Sequence, residues 1–127
     1  MAGTVVVDNI TTGTGATVPA ATVVSGTAKA WVNFNSEGTV AIRASFNVSS
    51  ITDLAAGAYG VNFTNAMSDA NYLVVSGVGR NAMGVDDNIQ GAARISTPTT
   101  TSVKLGTING TGSAFTDAVY VNVAVFR

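Results

Sequence analysis

The chain has 127 residues and a mass of 12.7 kDa, which gives room for one domain exposing roughly 6,200 Å² when folded. It contains no cysteine and no histidine, which excludes disulfides, thiolate chemistry, histidine zinc sites and a Ser-His-Asp triad. A net charge of −1 and the lack of any long apolar run give no reason to expect nucleic-acid binding or membrane insertion.

The residue content favours strands over helices. Val, Thr and Ile together account for 42 residues, whereas Leu, Met, Glu, Gln, Lys and Arg account for 14. Only 10% of the residues are charged and the mean hydropathy is +0.36, which is apolar for a protein that stays soluble alone. We therefore predict an all-β protein with few helices.

The first 27 residues differ in character from the rest. Apolar runs at Val5–Val7 and 17–24 flank a stretch of threonine and glycine, and Pro19 interrupts the second run. This segment has too little bulk for a core of its own. We predict an extended N-terminal arm over residues 1–27, which lies on the following domain or on a neighbouring subunit.

From Ala28 onward, apolar and polar residues alternate with period two. Residues 28–35 and 40–48 alternate on both sides of the polar loop 35–38, which predicts a β-hairpin. Further strands are predicted at 59–63, 72–78, 89–96, 102–108 and 118–126. About seven strands at this spacing indicate a single antiparallel β-sandwich over residues 28–127, or a flattened barrel.

Some predicted strands are apolar on both faces. Trp31 lies opposite the apolar face of its own strand, and the last strand carries Tyr120 and Phe126 on its second face. A small monomer seldom exposes large apolar patches, so these three residues predict a subunit interface. The alternative is that the aromatic rings cover the edge of the core or lie under the arm.

Two long runs are similar to a known group of proteins. They are AKAWVNFN at 28–35 and GTVAIRASFNVSSITD at 38–53, and the similarity continues through 59–72 and the closing strand 118–126. The pattern resembles the C-terminal domains of tail-fibre-like virion proteins of bacteriophages, particularly phages of marine bacteria and cyanobacteria. The resemblance implies a structural component of the phage particle, a homotrimer that touches the host surface. It implies no catalytic residue and no cofactor.

Acidic residues offer two possibilities for chemistry. Asp53 or Asp117 beside Asp86 would make a carboxylate pair of the kind that glycosidases use, but aspartate is also common in turns. The run 84–88 groups oxygen ligands suited to Ca²⁺, yet no glutamate follows at EF-hand distance, so a solvated loop is favoured. We therefore predict no enzyme, no metal site and no cofactor.

The connecting loops are the candidate contact surface. If strands alternate in direction, connections 49–58, 79–88 and 109–117 meet at one end of the sandwich, and 35–38, 64–71 and 97–101 meet at the other. The first group carries amide, carboxylate and aromatic side chains suited to recognising a glycan or a protein. The alternative is ordinary loops that face water. The candidate contact residues are Arg80, Asn81, Met83, Asp86, Asp87, Asn88, Asn109, Phe115 and Asp117.

These observations favour a small tail-fibre or appendage module located in the virion. Its arm is expected to dock onto other virion proteins, and its loops are expected to contact a host glycan or protein. One alternative is a capsid decoration or head-fibre protein that stabilises the capsid. A more distant alternative is a carbohydrate-binding module, which would need a row of exposed aromatic rings from only nine aromatic residues.

Overall fold

The computed structural model describes residues 3–79, 94–109, 112 and 114–127. Strands account for 55% of the structure and helix for 6%, and all pairings between described strands are antiparallel. The prediction of an all-β protein is therefore confirmed. Its physical basis is the excess of β-branched side chains, which fit a pleated surface better than a helix.

The described residues form ten strands in three sheets. A two-stranded sheet pairs β1 (Asn9–Thr11) with β2 (Thr17–Pro19). The front sheet has the order β4-β3-β10-β7, with bounds β3 Ala28–Asn35, β4 Ala41–Phe46, β7 Leu73–Gly79 and β10 Tyr120–Phe126. The back sheet has the order β5-β6-β9-β8, with bounds β5 Val48–Ala55, β6 Ala58–Phe63, β8 Arg94–Ser96 and β9 Ser102–Gly106.

The inner faces of the front and back sheets share one apolar core. Phe34 of the front sheet meets Tyr59 of the back sheet edge to face, with 5.4 Å between ring centroids. Alternate residues of the central strands supply the rest, as the period-two pattern predicts. The buried residues of this core include Ala30, Val32, Val61, Phe63, Val103, Leu105, Val121, Val123 and Val125.

The predicted strand 40–48 is interrupted at Asn47. β4 ends at Phe46 and β5 begins at Val48 in the other sheet. Asn47 adopts a positive φ of 54°, and its side-chain amide donates to the Lys29 carbonyl at 3.0 Å while its oxygen accepts from the Asn65 nitrogen at 2.8 Å. These bonds hold a left-handed backbone that asparagine tolerates better than most residues. The chain thereby crosses from the front sheet to the back sheet.

This crossing corrects two predictions. Residues 49–58 are not a connection, because most of them form β5. Ten strands are described where about seven were predicted, and β5 is one of the additional strands, while β1 and β2 of the N-terminal segment are the others. The additional reversal of direction also moves loop 35–38 to the same end as 109–117, where the Ser36 nitrogen donates to the Ala118 carbonyl at 3.0 Å. We call this the loop end. The opposite end, which holds Asn47, 64–72 and 97–101, is the arm end.

The N-terminal segment is not extended throughout, contrary to the prediction. β1 and β2 form a hairpin whose turn contains Gly15 at φ 86°, and α1 (Ala20–Gly26) follows directly. The Thr27 hydroxyl donates to the Val23 carbonyl at 2.6 Å and ends this helix. Hydrogen bonds within the hairpin and the helix thus satisfy backbone groups that a fully extended arm would have to pair with another surface.

The arm buries almost none of its own side chains. α1 has no buried residue, and Val6 is 88% exposed. The whole chain exposes 7610 Å², against the roughly 6,200 Å² expected of a compact monomer of this mass. The arm joins β3 at the arm end, so its connection to the two large sheets lies at the end opposite to loop 109–117.

Candidate functional site

The outer face of the front sheet carries an apolar row across all four strands. Strand register places Phe46 of β4 beside Trp31 of β3, Trp31 beside Ala124 of β10, and Ala124 beside Val75 of β7. We call these four residues the apolar row. Phe46 is 54% exposed, Val75 52% and Trp31 41%. Four neighbouring apolar side chains on one open face form a continuous patch rather than scattered exposure.

A shallow groove of about 520 Å³ runs along this face between β3 and β7. Its lining includes Trp31, Val75 and Ala124 of the apolar row. Asn33 donates to the Asn122 side chain at 2.6 Å inside the same groove. Because these two side-chain amides bond to each other, they offer a binding partner fewer free hydrogen-bonding groups than isolated amides do.

All three residues predicted at a subunit interface lie on this outer face. Phe126 pairs with Leu73 beside the apolar row. Tyr120 lies at the loop end of β10, where the Arg43 guanidinium stacks 4.4 Å from its ring centroid. The structure thus places Trp31, Tyr120 and Phe126 on one face, with Tyr120 and Phe126 at opposite ends of β10, and their contact with another subunit stays a prediction.

Sequence reasoning missed Phe46 as a member of this face. The alternation predicted over 40–48 puts Phe46 on the same face as Ile42, which pairs with the core residue Phe34. The bulge in β4 opposite the step from Asn33 to Phe34 instead places Phe46 beside Trp31 on the outside. This bulge depends on how β4 pairs with β3, so the alternation within 40–48 gives no signal for it.

At the loop end, Asp117 holds two segments together. Its carboxylate accepts from the Gly57 nitrogen at 2.7 Å and from the Tyr59 hydroxyl at 2.5 Å. In return, the Gly57 carbonyl accepts from the Thr107 nitrogen at 2.7 Å. Asp117 therefore fastens the β5–β6 turn to the β9–β10 connection.

Buried polar groups around this junction are paired. The Ser36 hydroxyl donates to the Ala118 carbonyl at 2.9 Å and accepts from the Ala118 nitrogen at 2.8 Å. The Thr107 hydroxyl donates to the Thr116 carbonyl. Among the described residues, every buried side-chain nitrogen and oxygen has a hydrogen-bond partner, so the loop end rests on a satisfied and rigid scaffold.

We expect a loss of stability between pH 10 and 12 that depends on Tyr59. Burial, together with the hydrogen bond to the Asp117 carboxylate, raises the pKa of Tyr59 from 10.0 to about 12. Because the folded pKa is the higher one, the contribution is complete below pH 10 and is lost as the pH rises through 12. Denaturant unfolding at stepped pH should show a fall of about 2 kcal/mol over this window. Tyr59→Phe should show a clearly smaller fall, and equal falls in both proteins would contradict this assignment.

The candidate contact residues of the sequence divide into three groups. Asn109 shapes the β9–β10 connection, since its side-chain oxygen accepts from the Ala114 nitrogen at 3.3 Å, and Asp117 fastens it as above. Phe115 pairs with Ile108 and is 52% exposed. The other six lie outside the described residues: Arg80, Asn81, Met83, Asp86, Asp87 and Asn88. The calcium run 84–88 and any carboxylate pair with Asp86 lie there too.

Two further features concern ions and membranes. At the arm end, Arg127 forms an ion pair with Asp69, which lowers the pKa of that carboxyl. In the part of the chain that the structure describes, three or more potential metal ligands never come together. Across those same residues, no helix has the length and apolar content that crossing a membrane requires.

Comparisons with known proteins found no match to this chain among protein-family models, curated proteins or solved structures. The resemblance to tail-fibre-like proteins therefore stays a prediction based on the residues quoted above.

Proposed function

We propose that this chain is a non-enzymatic structural protein of a bacteriophage particle, a fibre or appendage module that assembles as a homotrimer. The observation that carries the proposal is the apolar row of Phe46, Trp31, Ala124 and Val75. A patch of this kind is stabilised when another subunit covers it, because burial removes apolar area from water.

The two large sheets form a single β-sandwich domain in this proposal, and the two ends of that domain have different tasks. The arm, which buries little of its own apolar surface, docks onto other virion proteins at the arm end. The loop end faces outward and contacts the host surface. Three copies of one weak site then bind with an avidity that a single site lacks.

Mass measurement in solution tests the assembly. Light scattering after size-exclusion chromatography is expected to give three times the chain mass of 12.7 kDa. The mass should not change on dilution into the low micromolar range, since stable interfaces of this kind survive such dilution. A mass equal to one chain at all concentrations would refute the trimer.

Antibody labelling of intact particles tests the location. Gold-labelled antibody against this chain, viewed by electron microscopy, is expected at the tail end. Label spread over the head would contradict the fibre role and identify a capsid decoration protein instead. Particles without label, from a stock in which the chain is expressed, would refute a place in the virion.

A further inference from the structure

The outer face of the back sheet holds a second groove, separate from the apolar row. Its volume is about 380 Å³, which falls in the range of sites for small ligands. Residues from β5, β6, β8, β9 and the β9–β10 connection line it. They include Leu54, Ala58, Arg94, Ser96, Lys104 and Phe115. We call it the cationic groove.

The charged residues among the described lining of the groove are all basic. Arg94 pairs in register with Gly106, and Ser96 pairs with Lys104, so the two cations occupy diagonal positions on one face, about 7–8 Å apart at the backbone. Among the described residues that line the groove, none is an aspartate or a glutamate. Two of the six basic residues of the chain thus contribute positive charge to the groove, and no carboxylate among its described lining residues offsets that charge.

Its floor is apolar, and the aromatic ring of Phe115 is held in place there. A Cβ on Gly106 would lie 3.0 Å from Cδ1 of Phe115 and closer still to Cε1. The ring therefore packs on the bare backbone of Gly106, while half of its surface stays open. Leu54 and Ala58 continue the apolar surface beside it. A ligand that fits here has apolar C–H faces and a negative charge.

We propose that the cationic groove binds an acidic saccharide, a sugar polymer whose units carry carboxylates. The pyranose C–H face packs on Phe115 and Leu54, Arg94 and Lys104 bind the carboxylate, and the Ser96 hydroxyl bonds to a sugar hydroxyl. A second copy of the same face is a poor occupant, because it would bring four cations together. The inference rests on the proposed function only for its setting, an encounter with a polysaccharide at a cell surface.

Binding to defined oligosaccharides tests the proposal. Isothermal titration of the full chain is expected to show binding of at least one acid among oligogalacturonate, oligomannuronate and oligoguluronate, and weaker binding of its methyl ester. A rising salt concentration should weaken binding of the acid more than binding of the ester, because salt screens the attraction between opposite charges. Lys104→Gln and Arg94→Gln should each weaken binding about tenfold. Lys29→Gln, which removes the same charge at the arm end, should leave binding unchanged.

The role of Phe115 is tested separately, by substituting Gly106, the residue on which its ring packs. Gly106→Ala forces the ring to move while it keeps every charge, so it should weaken saccharide binding as Phe115→Ala does. The proposal is overturned if all three acids fail to bind, if acid and ester bind equally, or if polyglutamate binds and the saccharides do not. A trimer found on the particle that binds no saccharide would refute this inference alone and leave the proposed function standing.

Discussion

Gly57→Ala is expected to lower the free energy of unfolding by about 3 kcal/mol and the melting temperature by about 10 °C. Gly57 has a φ of +66°, and a Cβ there would lie 2.8 Å from the Thr107 carbonyl oxygen and nearer still to the Thr116 nitrogen. Both neighbours are backbone atoms of the connection that Asp117 fastens. Relief therefore requires the β5–β6 turn and the β9–β10 connection to separate.

Gly38→Ala is the matched control, because Gly38 has nearly the same φ of +69° but no atom within 4 Å of an added Cβ. The free energy of unfolding of this variant should fall by about 1 kcal/mol, which is the cost of placing alanine in a left-handed backbone conformation. Thermal and denaturant unfolding of both variants, at equal protein concentration, measures the difference. Equal losses would show that the backbone around Gly57 adjusts at little cost, and that the loop end is not rigid.

The inner faces of the central strands were predictable because they depend on local alternation. In β3 the residues Ala30, Val32 and Phe34 are buried, and in β10 the residues Val121, Val123 and Val125 are buried. Each set lies at period two within one strand. Such a pattern needs no knowledge of which strand lies next to it, so the sequence is enough to define the core side.

The crossing at Asn47 was not predictable in the same way. Apolar and small residues alternate without a break from Val40 to Val48, which favours one strand. What breaks it is a set of bonds from Asn47 to Lys29 and Asn65, both 18 residues away in the chain. Non-local contacts of this kind outweigh local preference, and the crossing reversed the assignment of loop 35–38. The bulge opposite Asn33, which also depends on strand pairing, turned Phe46 to the outside.

The two candidate surfaces differ in how far the sequence reveals them. Trp31 and Phe126 stand out as aromatic residues on the second face of an alternating strand, which is a local signal. The cationic groove depends on sheet order, because Lys104 and Arg94 become neighbours only when β8 pairs with β9. The approach of Phe115 to Gly106 adds a contact that no spacing in the chain indicates.

Replacing both aromatic residues of the apolar row is expected to convert the trimer into a monomer. In a Trp31→Gln, Phe46→Gln variant, each subunit loses two large aromatic side chains from the centre of the proposed interface. Buried aromatic residues at interface centres contribute about 2 kcal/mol or more each, so the dissociation constant should rise by at least about a thousandfold. Light scattering after size-exclusion chromatography at micromolar concentration measures the mass of the assembly.

The fold of this variant should persist, because both side chains lie outside the shared core, and far-ultraviolet circular dichroism should match that of the original protein. The control is Phe115→Ala, which removes an aromatic ring of similar exposure, 52% against 54% for Phe46, from the back sheet. It should remain trimeric. If both variants dissociate, the effect follows from lost apolar surface in general. If neither dissociates, subunits meet elsewhere, and the apolar arm becomes the surface to replace next.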